Sequence, residues 1–211
     1  MSLLDILILI LAALLIRILI TGKWRLWALL VTSIIAIYWL QPALPIRNMD
    51  FWFPTLTLGL ILMSWGLTAK WEHFKNPQNR FAAGLSLGTV LLISLTRYFS
   101  LEGLITPTRP PQIYLVAAVL ALLSILTFLL IRFSHPDTTA ISLGVLCLLL
   151  IFIILKTPLL AYYGSMGLRR MMAQDPALAH GIDLGWLGFS YVAFRLIHTL
   201  IDRHNGRLKD I

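Results

Sequence analysis

The sequence predicts an all-α, multi-pass membrane protein, and three observations carry that prediction. Of the 211 residues, 59% are hydrophobic and 12% charged, where a soluble domain averages about 45–50% and about 25%. The apolar residues fall in long uninterrupted runs, separated by short stretches rich in proline, glycine and charge. The net charge of +8 is spread over those connections, as positively charged loops beside anionic headgroups would be. Nucleic-acid binding would need a clustered basic face or a known module, and the sequence has neither. Once the runs are counted, no separate soluble domain fits, so residues 1–211 form one transmembrane region.

A helical span takes about 20 residues, with a range of roughly 17–25. Residues 3–20 form the first. No basic segment precedes this run and no small-x-small site follows it, so it reads as a retained helix and not a cleaved leader. Arg17 snorkels toward the interface. Residues 26–40 form the second span, anchored by Trp24, Trp27, Tyr38 and Trp39 and ended by Pro42 and Pro45. The third is 51–69, opened by Phe51 and Trp52, and 70–80 is a polar loop. The fourth is 81–99. The Thr106-Pro-Thr-Arg-Pro-Pro111 stretch that follows cannot be helical. The fifth is 113–131, and His135-Pro136-Asp137 makes a turn before the sixth, 139–155. Pro158 breaks the chain there. Residues 159–172 are too short to span and end in Arg169-Arg170, so they read as an interfacial or re-entrant helix. After a loop at 174–183, residues 184–202 make the seventh span.

With seven spans, ten basic residues fall on the side of the C-terminus and six on the side holding Arg47, Arg97, Arg109, Lys156, Arg169 and Arg170. That bias predicts a cell-membrane protein with its N-terminus outside and its C-terminus in the cytoplasm. Cys147 lies alone in an apolar run and forms no internal disulfide. The five histidines show no metal-ligand spacing, and no phosphate loop, dinucleotide fingerprint, GxSxG or HExxH is present. No bound cofactor or metal is expected.

The chemistry-bearing feature is in the last run. On a helix, Tyr191, Arg195, His198 and Asp202 fall at i, i+4, i+7 and i+11, within a sector of roughly 60°. Lipid cannot satisfy such a stripe, so it must face protein or water. Two arrangements do this. One is an internal network, with Arg195 bonding Tyr191 and nearby carbonyls and Asp202 pairing His198. The other is a polar lining to a substrate or acyl-donor channel. The preceding spans are apolar material that could surround the stripe. Gly185 and Gly188 would let another helix approach closely.

The run Trp186-Leu-Gly188-Phe-Ser190-Tyr191, followed by Phe194-Arg195, Asp202 and Gly206, resembles the motif of the membrane-bound O-acyltransferases. It is most similar to their bacterial branch of D-alanine transfer and alginate O-acetylation proteins. Lys156, closing a span some thirty residues earlier, resembles a lysine that the family often has there. The resemblance implies transfer of an acyl group from a thioester donor, acyl-CoA or an acyl carrier protein, to a hydroxyl on a cell-surface glycan or polymer. It implies channel or positioning roles for Ser190, Tyr191, Arg195, His198 and Asp202. It also implies a catalytic histidine further downstream, in a second half with more spans, and no residue here matches it. The expectation is therefore an N-terminal portion, inactive alone, that works with a missing C-terminal half or a partner chain. Two other classes fit the residues: a small transport or permease subunit with the stripe along a solute path, and a non-catalytic membrane scaffold.

Overall fold

A computed structural model describes residues 3–69, 71–99, 103, 105–133 and 138–207. Every regular element among them is helical, and no strand occurs. The α-helices are α1 (Leu3–Leu19), α2 (Lys23–Leu40), α3 (Met49–Thr68), α4 (Trp71–Lys75), α5 (Pro77–Leu95), α6 (Ile113–Phe133), α7 (Thr138–Lys156), α8 (Pro158–Met171) and α9 (Phe189–His204). The helices α2, α3, α5, α6 and α7 are long and apolar enough to cross a membrane, α5 with the 3-10 turn that extends it to Tyr98. At 17 residues α1 is at the lower limit for a span, and at 16 residues α9 is beneath it. The expected turn at His135–Asp137, and Lys70 and Lys209 of the charge count, lie outside the described residues.

The helix α3 is the hub, packed against α2, α6, α7 and α9. Lipid tails are as apolar as leucine, so helices in a bilayer associate through close packing and not through the hydrophobic effect. Small and hydroxyl residues on α3 permit that packing. A Cβ on Gly59 would sit 3.0 Å from the Leu123 side chain, and one on Gly66 would sit 3.2 Å from the Thr127 carbonyl oxygen. Thr55 gives its hydroxyl proton to the Phe51 carbonyl at 2.8 Å, so the buried Tyr38 hydroxyl, 2.8 Å from Thr55 Oγ1, is the donor of that pair.

Two boundaries differ from those expected. The stretch 70–80 is not all loop. Asn76 Oδ1 accepts from the Gln78 N–H at 3.0 Å and Pro77 takes the first helical position, so α5 starts four residues before Phe81. At the other end of the chain, residues 184–188 do not belong to the last helix. A 3-10 turn covers Gly181–Leu184, and Gly188 takes φ +72°, which sets the start of α9 at Phe189. The helix α8 fills the place of the expected non-spanning helix, at Pro158–Met171.

The loops sort to two ends. The 41–48 loop, the turn before α6 and the whole α8–α9 connection meet at one end, joined by bonds from Gln41 to Gly185, Arg47 to Gln174 and Thr108 to Asp50. At the other end α4 folds onto α6 through the rings of Trp71, Phe74 and Phe128, with Arg132 5.8 Å above the Trp71 ring.

Candidate functional site

On α8, Ala161, Ser165 and Arg169 are buried at four-residue spacing, so they share one face. That face lies against the 3-10 turn carrying Asp183. Asp183 Oδ2 accepts from Ser165 Oγ at 2.6 Å, Arg169 Nε at 3.0 Å and the His180 N–H at 3.1 Å, and Arg169 Nη2 lies 3.0 Å away. Both charged side chains are buried, 7% and 3% exposed. Burial pushes the Asp183 carboxyl up, but the donors from Ser165, His180 and Arg169 outweigh it and hold the group below the ordinary carboxylate range. This is a mutually satisfied ion pair. It fixes the chain before α9 against α8.

Four further contacts aim the entry to α9. Gln41 donates from Nε2 to the Gly185 carbonyl at 2.8 Å, and its Oε1 accepts the Leu187 N–H at 3.2 Å. Trp186 stacks flat on Phe53 at 4.7 Å, and its Nε1–H donates to Thr57 Oγ1 at 2.8 Å. Thr57 is eight residues past Met49 on α3, or about 12 Å along the axis at about 1.5 Å per residue. The helix α9 therefore starts within the depth of the bundle and not at its edge. A Cβ on Gly185 would meet Leu44 of the 41–48 loop at 3.3 Å, and nothing lies within 4 Å of one on Gly188. The close approach expected at these glycines is thus to a loop at Gly185, while Gly188 serves the backbone turn.

From Phe189 onward α9 divides into two faces. Phe189, Ala193 and Leu200 are buried, and Leu200 packs with Ile141 and Leu148 of α7. Phe194 sits at the margin of that contact, its ring 5.5 Å from Phe152. Tyr191, Arg195 and His198 lie on the opposite face and are exposed, Tyr191 at 71%. Ser190 and Asp202 are half-buried. The described helices pack against the apolar face and do not surround the stripe. No hydrogen bond or ion pair joins the side chains of Tyr191, Arg195, His198 and Asp202 to one another, so the expected internal network is not formed among the described residues. The energetic reason is that burying Phe189, Ala193 and Leu200 fixes the rotation of the helix. At 100° per residue the stripe then points outward. Lys156 is exposed at the end of α7, directly before α8.

The Arg169–Asp183 pair was not among the residues expected to matter. Its one signal in the sequence is that Arg169 shares the four-residue register of Ala161 and Ser165. Comparison with protein-family models, curated proteins and solved structures finds no match for this chain.

Proposed function

We propose that the chain forms one wall of a membrane-bound O-acyltransferase. In that reaction a base takes the proton of an acceptor hydroxyl, the oxygen attacks a thioester carbonyl, and the thiolate leaves with a proton. The donor would be acyl-CoA or an acyl carrier protein, and the acceptor a cell-surface glycan or polymer. One observation supports this reading beyond the resemblance: Tyr191, Arg195 and His198 face outward from a helix that starts inside the bundle. Hydrocarbon cannot satisfy those groups. They are placed to line a polar path once a further protein component covers them, and that component would bring the general base. In this arrangement α1 and α9 cross the membrane as well, the N-terminus is outside and the C-terminus cytoplasmic.

The outward stripe also suits a non-catalytic subunit that assembles through α9, and one substitution separates the two. Arg195→Ala abolishes complementation of polymer acylation in the acyltransferase reading, while it mainly reduces recovery of the assembled complex in the scaffold reading. Purified chain is expected not to turn over an acyl thioester in the presence of acceptor. Turnover by this polypeptide without a partner would overturn the proposed division of labour.

A further inference from the structure

At the end of the bundle where the loops gather there is a polar cavity of about 590 Å³. Its walls bring together Arg47 and Asn48 from the 41–48 loop, Arg97 from the turn after α5, and Thr108, Arg109 and Gln112 from the segment before α6. These are three separate stretches of chain. Each contributes an arginine, and among the described residues no acidic side chain lines the space.

The cluster is held in place and not merely crowded. Arg97 donates from Nη1 to the Pro110 carbonyl at 2.6 Å, which fixes the guanidinium while leaving its other N–H groups to point elsewhere. The Arg47 backbone N–H is held by Gln174 Oε1 at 2.9 Å. Beneath the wall, the buried Asp50 takes the Thr108 N–H at 3.0 Å and the Thr108 hydroxyl at 2.6 Å through Oδ2, which anchors the pre-α6 segment to α3. Among the described residues, Asp50 sets one negative charge against the guanidinium groups of Arg47 and Arg97, which leaves a surplus of positive charge. Arg109 is engaged in a further contact of its own, so Arg47 and Arg97 are the two groups that an incoming anion engages most directly.

We propose that this cavity binds a phosphate-type oxyanion. Guanidinium forks match the oxygens of a phosphate in pairs. That surplus of positive charge suits an anionic group. Leu44 and Leu115 complete the lining, and Leu115 belongs to the exposed outer face of α6. A phosphate that carries acyl chains could lay them along that face, while a free phosphate would use the arginines alone. This site is separate from the α9 stripe and does not depend on the acyltransferase reading.

The test uses the full chain purified in an uncharged detergent. In one arm inorganic phosphate is added against chloride at equal ionic strength, and the thermal midpoint is followed. In the other, the chain is placed in nanodiscs of phosphatidylcholine with or without phosphatidylglycerol, and retained lipid is counted by native mass spectrometry. Protection in both arms identifies the phosphate group itself as the ligand. Protection or retention only with phosphatidylglycerol identifies a lipid headgroup. The double variant Arg47→Gln/Arg97→Gln is expected to weaken the effect at least tenfold, and Arg25→Gln, on the opposite end of α2, to leave it unchanged. If the double variant does not fold, Arg47→Lys/Arg97→Lys keeps the charge but removes the forks and should still weaken binding severalfold. No effect in either arm overturns the proposal, as does an equal loss in Arg25→Gln or full retention in the lysine pair.

Discussion

Arg169 and Arg195 are the same residue type on neighbouring helices, and the fold treats them in opposite ways. Arg169 is buried on the inner face of α8, with its charge returned by Asp183. Arg195 is exposed on the outer face of α9, on the side away from α3 and α7. The difference lies in what their neighbours offer. The α8 face is lined by small residues, Ala161 and Ser165, which leave room for a guanidinium and a carboxylate. The inner α9 face is filled by Phe189, Ala193 and Leu200, which leave none. One arginine therefore ties α8 to the turn before α9, and the other takes no part in that packing.

The most severe way to break the first region is Asp183→Asn. It strands the Arg169 charge in a buried site, and loss of one partner of a buried pair costs about 3–5 kcal/mol. A large drop in the thermal midpoint in detergent is the expected result. The double variant Arg169→Met/Asp183→Leu should recover much of it, because no charge is then left unpaired. Next in size is Trp186→Phe, which keeps the stacking on Phe53 but removes the bond to Thr57, for about 1 kcal/mol. Changing pH should do less. The Asp183 carboxyl is held below its ordinary value, so it is more readily ionised folded than unfolded. Its contribution is complete above the unfolded value of about 3.9 and is lost as pH falls through the lower, folded one. The midpoint difference between wild type and Asp183→Asn is thus expected to stay constant from about pH 8 to about pH 5 and to shrink below about pH 4. The smallest effect on stability should come from the second region: Arg195→Ala, on an exposed face, should move the unfolding free energy by less than about 0.5 kcal/mol. A drop as large as that of Asp183→Asn would show that the stripe is structural and would erase the contrast between the two arginines.

Much of the fold was legible in the sequence because helix length and apolar run length are the same information. The spans at 113–131 and 139–155 fall inside α6 and α7, and the short helix after Pro158 is where its broken pattern placed it. The start of α9 was not legible in the same way. Leu184 and Trp186 are as apolar as any helical residue, and it is the backbone at Gly185, with ψ 70°, and the positive φ at Gly188 that separate them from the helix. Hydropathy does not record backbone conformation. The outer stripe could be read as a stripe from its spacing, but spacing leaves the rotation of the helix open. Packing of Leu200 against α7 settles it. The Asp183–Arg169 pair was hidden because its members are fourteen residues apart, in segments that separately look like a loop and a helix end.

The late start of α9 also sets an order of assembly. An isolated 16-residue helix with Arg195 near its middle is a poor substrate for membrane insertion, since a central arginine alone opposes entry by roughly 2.5–3.5 kcal/mol on translocon scales. Its apolar side has somewhere to go only after α3 and α7 stand together, with Thr57 waiting for Trp186 and the Gly144 region of α7 open to Leu200. By this arithmetic α9 is docked by the helices that precede it and not inserted on its own.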